Sequence, residues 1–148
     1  MTEVRLTASQ RRALDWQKEH LVIAAEALLS EANVVDIPKN KLGDSQLRNL
    51  MAIAGETESP AVVTNFIRYQ MGRDGRKQHW AKPGQTHRAF GDLLIDAIDK
   101  GAVEQAVEAV EGLEGVARQI ARMQMLRQFL GFMSRHLKYL EPQRGGKS

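Results

Sequence analysis

The sequence predicts an all-α fold, a single compact bundle of about five or six helices ending in a long C-terminal helix. Three observations predict it. Apolar residues recur by threes and fours through most of the chain, and no run of β-branched residues alternates at period two. A chain of 148 residues with 43% hydrophobic residues is long enough for one core, and aromatics at only 5% leave Leu, Ile, Val, Ala and Met to fill it. Most glycines and prolines fall between the periodic stretches, where they stop helices.

The first helix opens at Thr7-Ala8-Ser9-Gln10, where the Thr hydroxyl and the Gln amide can satisfy free N–H groups reciprocally as a capping box. Leu14, Leu21 and Leu28, with Ala24 and Ala25 between them, line one face to about Ala32, before Pro38 enforces a loop. Asp44 or Ser45 can cap a short second helix on which Leu47, Leu50, Met51 and Ala54 share a face, Arg48 points away, and Gly55 marks the stop. Ser59-Pro60 starts a third, because Ser accepts N–H bonds at the cap and Pro needs no donor at the first helical position. Its inner side is Val63, Phe66, Ile67 and Gln70, with Asn65, Arg68 and Tyr69 outward and Gly72 and Gly75 at its end. Residues 75–85, GRKQHWAKPGQ, lack periodicity and read as an exposed, strongly basic loop.

Phe90, Leu93, Leu94, Ala97 and Ile98 make a fourth helix with Asp92, Asp96 and Asp99 outside, ended by Lys100-Gly101. Val103, Ala106, Val107 and Val110 make a short fifth, ended by Gly112 and Gly115. The last runs from Val116 to about Leu140, stepping through Ile120, Met123, Leu126, Leu130, Met133 and Leu137. Met125, Phe129, Phe132 and Tyr139 lie opposite that stripe, and a helix apolar on two sides belongs at the centre of a fold or at a subunit contact. Pro142 stops it, and residues 142–148 read as a disordered tail of a single domain, 1–148.

Composition narrows the chemistry. With no cysteine, disulfides, thiolate metal sites, iron–sulfur clusters and cysteine nucleophiles are excluded. Apolar runs such as Leu21 to Ala25 are far shorter than the roughly 20 residues a bilayer requires, and no charged-then-apolar leader opens the chain. A soluble, cytoplasmic protein without membrane contact is expected. The net charge of +3 conceals a separation of sign: −1 over residues 1–40, +4 over 41–90, −6 over 91–114 and +6 over 115–148. Two cationic segments and one anionic one predict a polarised surface, suited to a polyanion on one side and protein on another.

No catalytic constellation emerges. His79 and His87 stand eight apart across a Pro-Gly break, which matches no metal template and supplies no third ligand. His20 and His136 read as packed or surface histidines. Asp92, Asp96 and Asp99 fit a solvated or protein-docking acidic face better than a metal site, because no second element converges on them. Gly72, Gly75 and Gly84 form no phosphate loop, since no G-K-[ST] follows. No enzyme activity, cofactor or metal is expected.

Between Arg68 and Arg88, Arg68, Tyr69, Arg73, Arg76, Lys77, His79, Trp80, Lys82 and Arg88 place guanidinium forks and rings together over about twenty positions. Phosphate oxygens accept paired Arg bonds and exposed rings stack on bases, so this is the equipment of a backbone binder of nucleic acid. The structural alternative is that Arg68 and Arg73 pair with Glu56, Glu58 or Asp74 and that Trp80 staples the loop to the core. A helix-turn-helix over residues 45–73, in a small DNA-binding regulator, is the other function this pattern allows. A metal-dependent ribonuclease using His79 or His87 is a weaker third.

Three blocks, KLGDSQLRNLM at 41–51, FIRYQMGRDG at 66–75 and LRQFLGFMSRHLKYLEP at 126–142, taken in order and spacing, resemble the small subunit of type III-A CRISPR effector assemblies, the Csm complexes. The likeness spans about two-thirds of the chain. The long first helix and the Gly-rich, acidic region 91–115 depart from it. The resemblance implies a non-catalytic helical bundle that packs in several copies along the effector filament. It implies contacts with the backbone subunits and the large subunit, and a grip on the duplex of guide RNA and target RNA. It points to Arg48, Arg68, Tyr69 and Arg73 as RNA-binding or structurally paired positions, to which charge and exposure add Lys41, Arg76 and Lys77.

Overall fold

A computed structural model describes residues 5–38, 42–74, 80 and 88–144. Among these residues six α-helices and two 3₁₀ turns form, with no strand: α1 (Ala8–Glu31), α2 (Asp44–Glu56), α3 (Pro60–Asp74), α4 (Phe90–Asp99), α5 (Ala102–Glu108) and α6 (Gly115–Leu140). The 3₁₀ turns are Val34–Asp36 and Glu141–Gln143. The predicted helical bundle with a long C-terminal helix is the fold observed.

The boundaries follow local chemistry. At the start of α1 the Gln10 backbone N–H donates to Thr7 Oγ1 at 3.0 Å while Gln10 Oε1 accepts from the Thr7 N–H at 2.9 Å, so the expected capping box is present. Gln10 Nε2 also donates to the Gly112 carbonyl at 3.2 Å, tying this end to the α5–α6 connection. After α1 the chain turns through Asn33, whose φ of 56° is a left-handed conformation that Asn tolerates better than most residues. The second helix is capped one residue earlier than expected, at Gly43, so that Asp44 and Ser45 are its first helical residues. Gln46 Oε1 accepts from the Gly43 N–H at 2.9 Å, and the Asp44 carboxylate sits where the helix dipole favours it. Helix α3 runs through Gly72 to Asp74, and Gly115 begins α6 rather than closing α5.

One continuous core holds the bundle together, and α6 lies at its centre, packed against α1, α2, α3 and α5. Both of its apolar stripes contribute. Leu126, Leu130 and Met133 are buried on one side and Met125 and Phe129 on the other, which realises the central placement expected for a two-sided helix. Val116 and Tyr139, at its two ends, stay exposed. The α3–α4 corner is closed by Trp80, 1% exposed, whose ring meets Phe90 edge-on at 5.0 Å between centroids and 78° between planes. Gly91 permits this approach. Its N–H donates to the Trp80 carbonyl at 3.0 Å, and a Cβ there would strike the Met71 side chain.

Residues 142–144, expected to open a disordered tail, are ordered. Residues 141–143 make a 3₁₀ turn and Arg144 is buried, donating through Nε and Nη2 to the Ile37 carbonyl (3.2 and 2.6 Å) and through Nη2 to the Leu42 carbonyl (2.5 Å). The order comes from a charge-assisted fork that closes on two backbone carbonyls, which no composition rule detects. Among the described residues no helix is long and apolar enough to cross a membrane.

Candidate nucleic-acid interface

Helices α2 and α3 are joined by the three residues 57–59. On α2 the apolar side made by Leu47, Leu50 and Ala54 is buried, which turns Arg48 and Asn49 to solvent. On α3, Val63, Ile67 and Gln70 face inward and Asn65, Arg68, Tyr69 and Arg73 face out, as the 3.6-residue period requires. Tyr69 is 58% exposed, its ring tilted 35° against Phe66 at 6.2 Å. Tyr69 and Arg73 stand four apart and so are neighbours on one surface, and Arg73, in the last turn, is favoured by the helix dipole.

Among the described residues, Arg48, Arg68 and Arg73 have no carboxylate partner. The alternative pairing with Glu58 is not made, because Arg127 takes that carboxylate at 2.9 Å. Lys41, Arg76 and Lys77, and with them His79, Lys82 and His87, lie outside the described residues. Two members of the predicted basic stretch belong elsewhere. Trp80 is core and presents no ring to a base, because Phe90 and the Gly91 backbone draw it inward. Arg88 is hydrogen-bonded to Asp96.

Much of the expected second cationic segment is paired within the bundle. Arg118 is bound by Glu104 and by Glu108, the latter at 2.9 Å, and Arg122 by Glu104 at 2.9 Å and by the Ile98 and Asp99 carbonyls. Arg127 joins Glu58 to the Ala54 and Thr57 carbonyls, and Arg144 is buried. Burial disfavours the Arg118 charge, and the hydrogen bonds and fields of Glu104 and Glu108 outweigh it, holding its pKa above the ordinary value. Lys138 is likewise raised by Glu141 and Asp44. Arg118, Arg122 and Arg144 thus bind the bundle to itself.

The same pairings consume part of the acidic region, since Asp96, Glu104 and Glu108 are occupied while Asp92 and Asp99 remain exposed. Among the described residues no three His, Asp or Glu side chains come together as metal ligands. The hydrogen bond from Arg88 holds the Asp96 carboxyl below the usual carboxylate range, with help from Lys100 at 3.7 Å and against the desolvation of the site. A depressed pKa in the fold stabilises it above the unfolded value of about 4, and that contribution disappears as pH falls through the folded value. Asp96→Asn is therefore expected to cost a few tenths of a kcal/mol at pH 7 and nothing near pH 2, small because the carboxylate is 36% exposed and screened. Urea titrations across that range measure it.

A further cationic feature escaped sequence reasoning. Between the N-terminal half of α1 and the middle of α6 lies a groove of about 610 Å³ lined by Arg11, Arg12, Asp15, Lys18, Gln124 and Arg127, among others, over a floor of Leu14 and Met125. The Arg11-Arg12 pair was its only sequence signal, masked because residues 1–40 sum to a net negative charge. No family model, curated protein or solved structure matches this chain.

Proposed function

We propose that this chain is a non-catalytic, RNA-binding small subunit of an RNA-guided interference complex of the type III-A CRISPR (Csm) class. In this reading the α2–α3 surface lies against the duplex of guide and target RNA, and other faces meet the backbone subunits, the large subunit and further copies of the chain. One observation carries it. Arg48, Arg68 and Arg73 are exposed without partners among the described residues, while Arg88, Arg118, Arg122, Arg127 and Arg144 are all engaged by carboxylates or carbonyls. Three open guanidinium groups on two adjoining helices support a phosphate-binding face there. Such contacts position RNA while base pairing reads the sequence, so no groove-reading element is needed.

The test is retention of an A-form RNA duplex as a function of salt. Removing one phosphate-binding cation lowers the slope of log K against log salt by about 0.9 on duplex, so Arg68→Ala with Arg73→Ala is expected to flatten it by about 1.8 and weaken binding at least tenfold at low salt. Retention indifferent to both salt and the substitutions refutes the RNA role. Neighbouring genes for a large polymerase-like subunit and a repeated backbone subunit are expected in the same locus.

The three-residue connection between α2 and α3 also suits a helix-turn-helix, the reading from a different class. Preference for one DNA duplex over random sequence by more than about a hundredfold would favour it, because backbone contacts alone do not discriminate that far.

A further inference from the structure

We propose that the α1–α6 groove is a second site, binding single-stranded nucleic acid with phosphates against Arg11, Arg12, Lys18 and Arg127 and a base stacked on Trp16. It is separate from the α2–α3 surface.

The groove holds four cations and one carboxylate, Asp15, which sits 2.9 Å from Lys18, so its lining carries a net charge of +3. The cations are incompletely used by the fold. Arg12 has no hydrogen-bond or ion-pair partner among the described residues, and Arg11 spends only Nη1, on the Leu6 carbonyl at 2.6 Å. Arg127 anchors its Nε and Nη2 on the α2–α3 turn and Glu58, which fixes the guanidinium in place at the groove wall. Gln124 and Gln128 add neutral donors and acceptors of the kind that meet ribose hydroxyls. The volume lies within the range of ligand-sized pockets.

Trp16 decides among polyanions. Its indole is 79% exposed, an uncommon cost for the largest side chain, and it lies outside the groove's own lining, four residues and so one helical turn after Arg12, which is part of that lining. A guanidinium next to a bare ring face is the pairing on which unstacked bases settle, each worth about 1–3 kcal/mol. An acidic peptide would use the charges and leave the indole idle. A duplex keeps its bases stacked inside and cannot reach it.

The chain has two tryptophans, and the other, Trp80, is buried, so the emission quenched by a stacking base reports Trp16. Titration of the full chain with a ten-nucleotide oligouridylate is expected to quench tryptophan fluorescence saturably. Trp16→Phe should abolish the quench while leaving Trp80 emission. Arg12→Ala with Lys18→Ala should weaken oligouridylate binding about tenfold or more and lower its salt slope by about 1.4, at roughly 0.7 per phosphate on a single strand. Arg68→Ala with Arg73→Ala should leave the quench intact and impair duplex retention only, so that the two sites fail separately. Absence of quenching, quenching that survives Trp16→Phe, or displacement of the oligonucleotide by polyglutamate at equal charge concentration overturns the proposal.

Discussion

Arg144→Ala is expected to destabilise the protein by about 2–4 kcal/mol, lowering the melting temperature by roughly 6–15 °C. The side chain is 5% exposed and makes three hydrogen bonds to the Ile37 and Leu42 carbonyls, across 107 and 102 residues of sequence. Two opposed effects set the magnitude. Burying a guanidinium is costly, and burial pulls its pKa down despite the Glu141 and Asp44 charges, so removing it recovers some desolvation energy. Against this, each charge-assisted bond contributes about 1.5–3 kcal/mol and the two carbonyls would be left without this donor beside a new cavity. The loss wins, though by less than the sum of three bonds. Arg144→Lys should fall between, because a single ammonium cannot span both carbonyls as a planar fork does. Thermal and urea denaturation measure both, and a change below about 0.5 kcal/mol for the alanine variant would show the tether to be idle.

The helices were legible in the sequence because their determinants are local. Thr7 and Gln10 define the start of α1 three residues apart, Ser59-Pro60 starts α3, and Leu93, Leu94 and Ile98 place α4's inner face at helical spacing. The outward set of Asn65, Arg68 and Tyr69 follows from the same period. What could not be read is whatever depends on which helix lies beside which. Arg127 has the composition of a surface cation on a basic helix, yet its partners are Ala54, Thr57 and Glu58, about 70 residues away. Arg118 and Arg122 converge on one carboxylate, Glu104, from successive turns of α6 only because α5 packs there. Block charge counts treat such residues as free. They overstated the cationic character of the last helix and the acidic character of α4 and α5, and they hid the groove that Arg11, Arg12 and Lys18 make with α6.

Trp80→Ala is expected to cost about 3–5 kcal/mol and to lower the melting temperature by roughly 10–15 °C, while Trp80→Phe should cost less than half of that. Within its basic sequence, GRKQHWAKPGQ, the indole has the look of a base-stacking ring, and the two assignments predict opposite things. A stacking Trp80 would leave stability nearly unchanged on truncation and remove about 1–3 kcal/mol of RNA binding. The observed one packs edge-on against Phe90, and its carbonyl accepts from Gly91, whose lack of a side chain lets α4 come this close. Truncation would open a void at the α3–α4 corner, and α3 is the helix that carries Arg68, Tyr69 and Arg73. Below the melting transition of Trp80→Phe, duplex affinity and its salt slope should match those of the parent, since the ring touches no phosphate. Loss of affinity in that variant with stability intact would return Trp80 to the interface and require the loop to release it from Phe90.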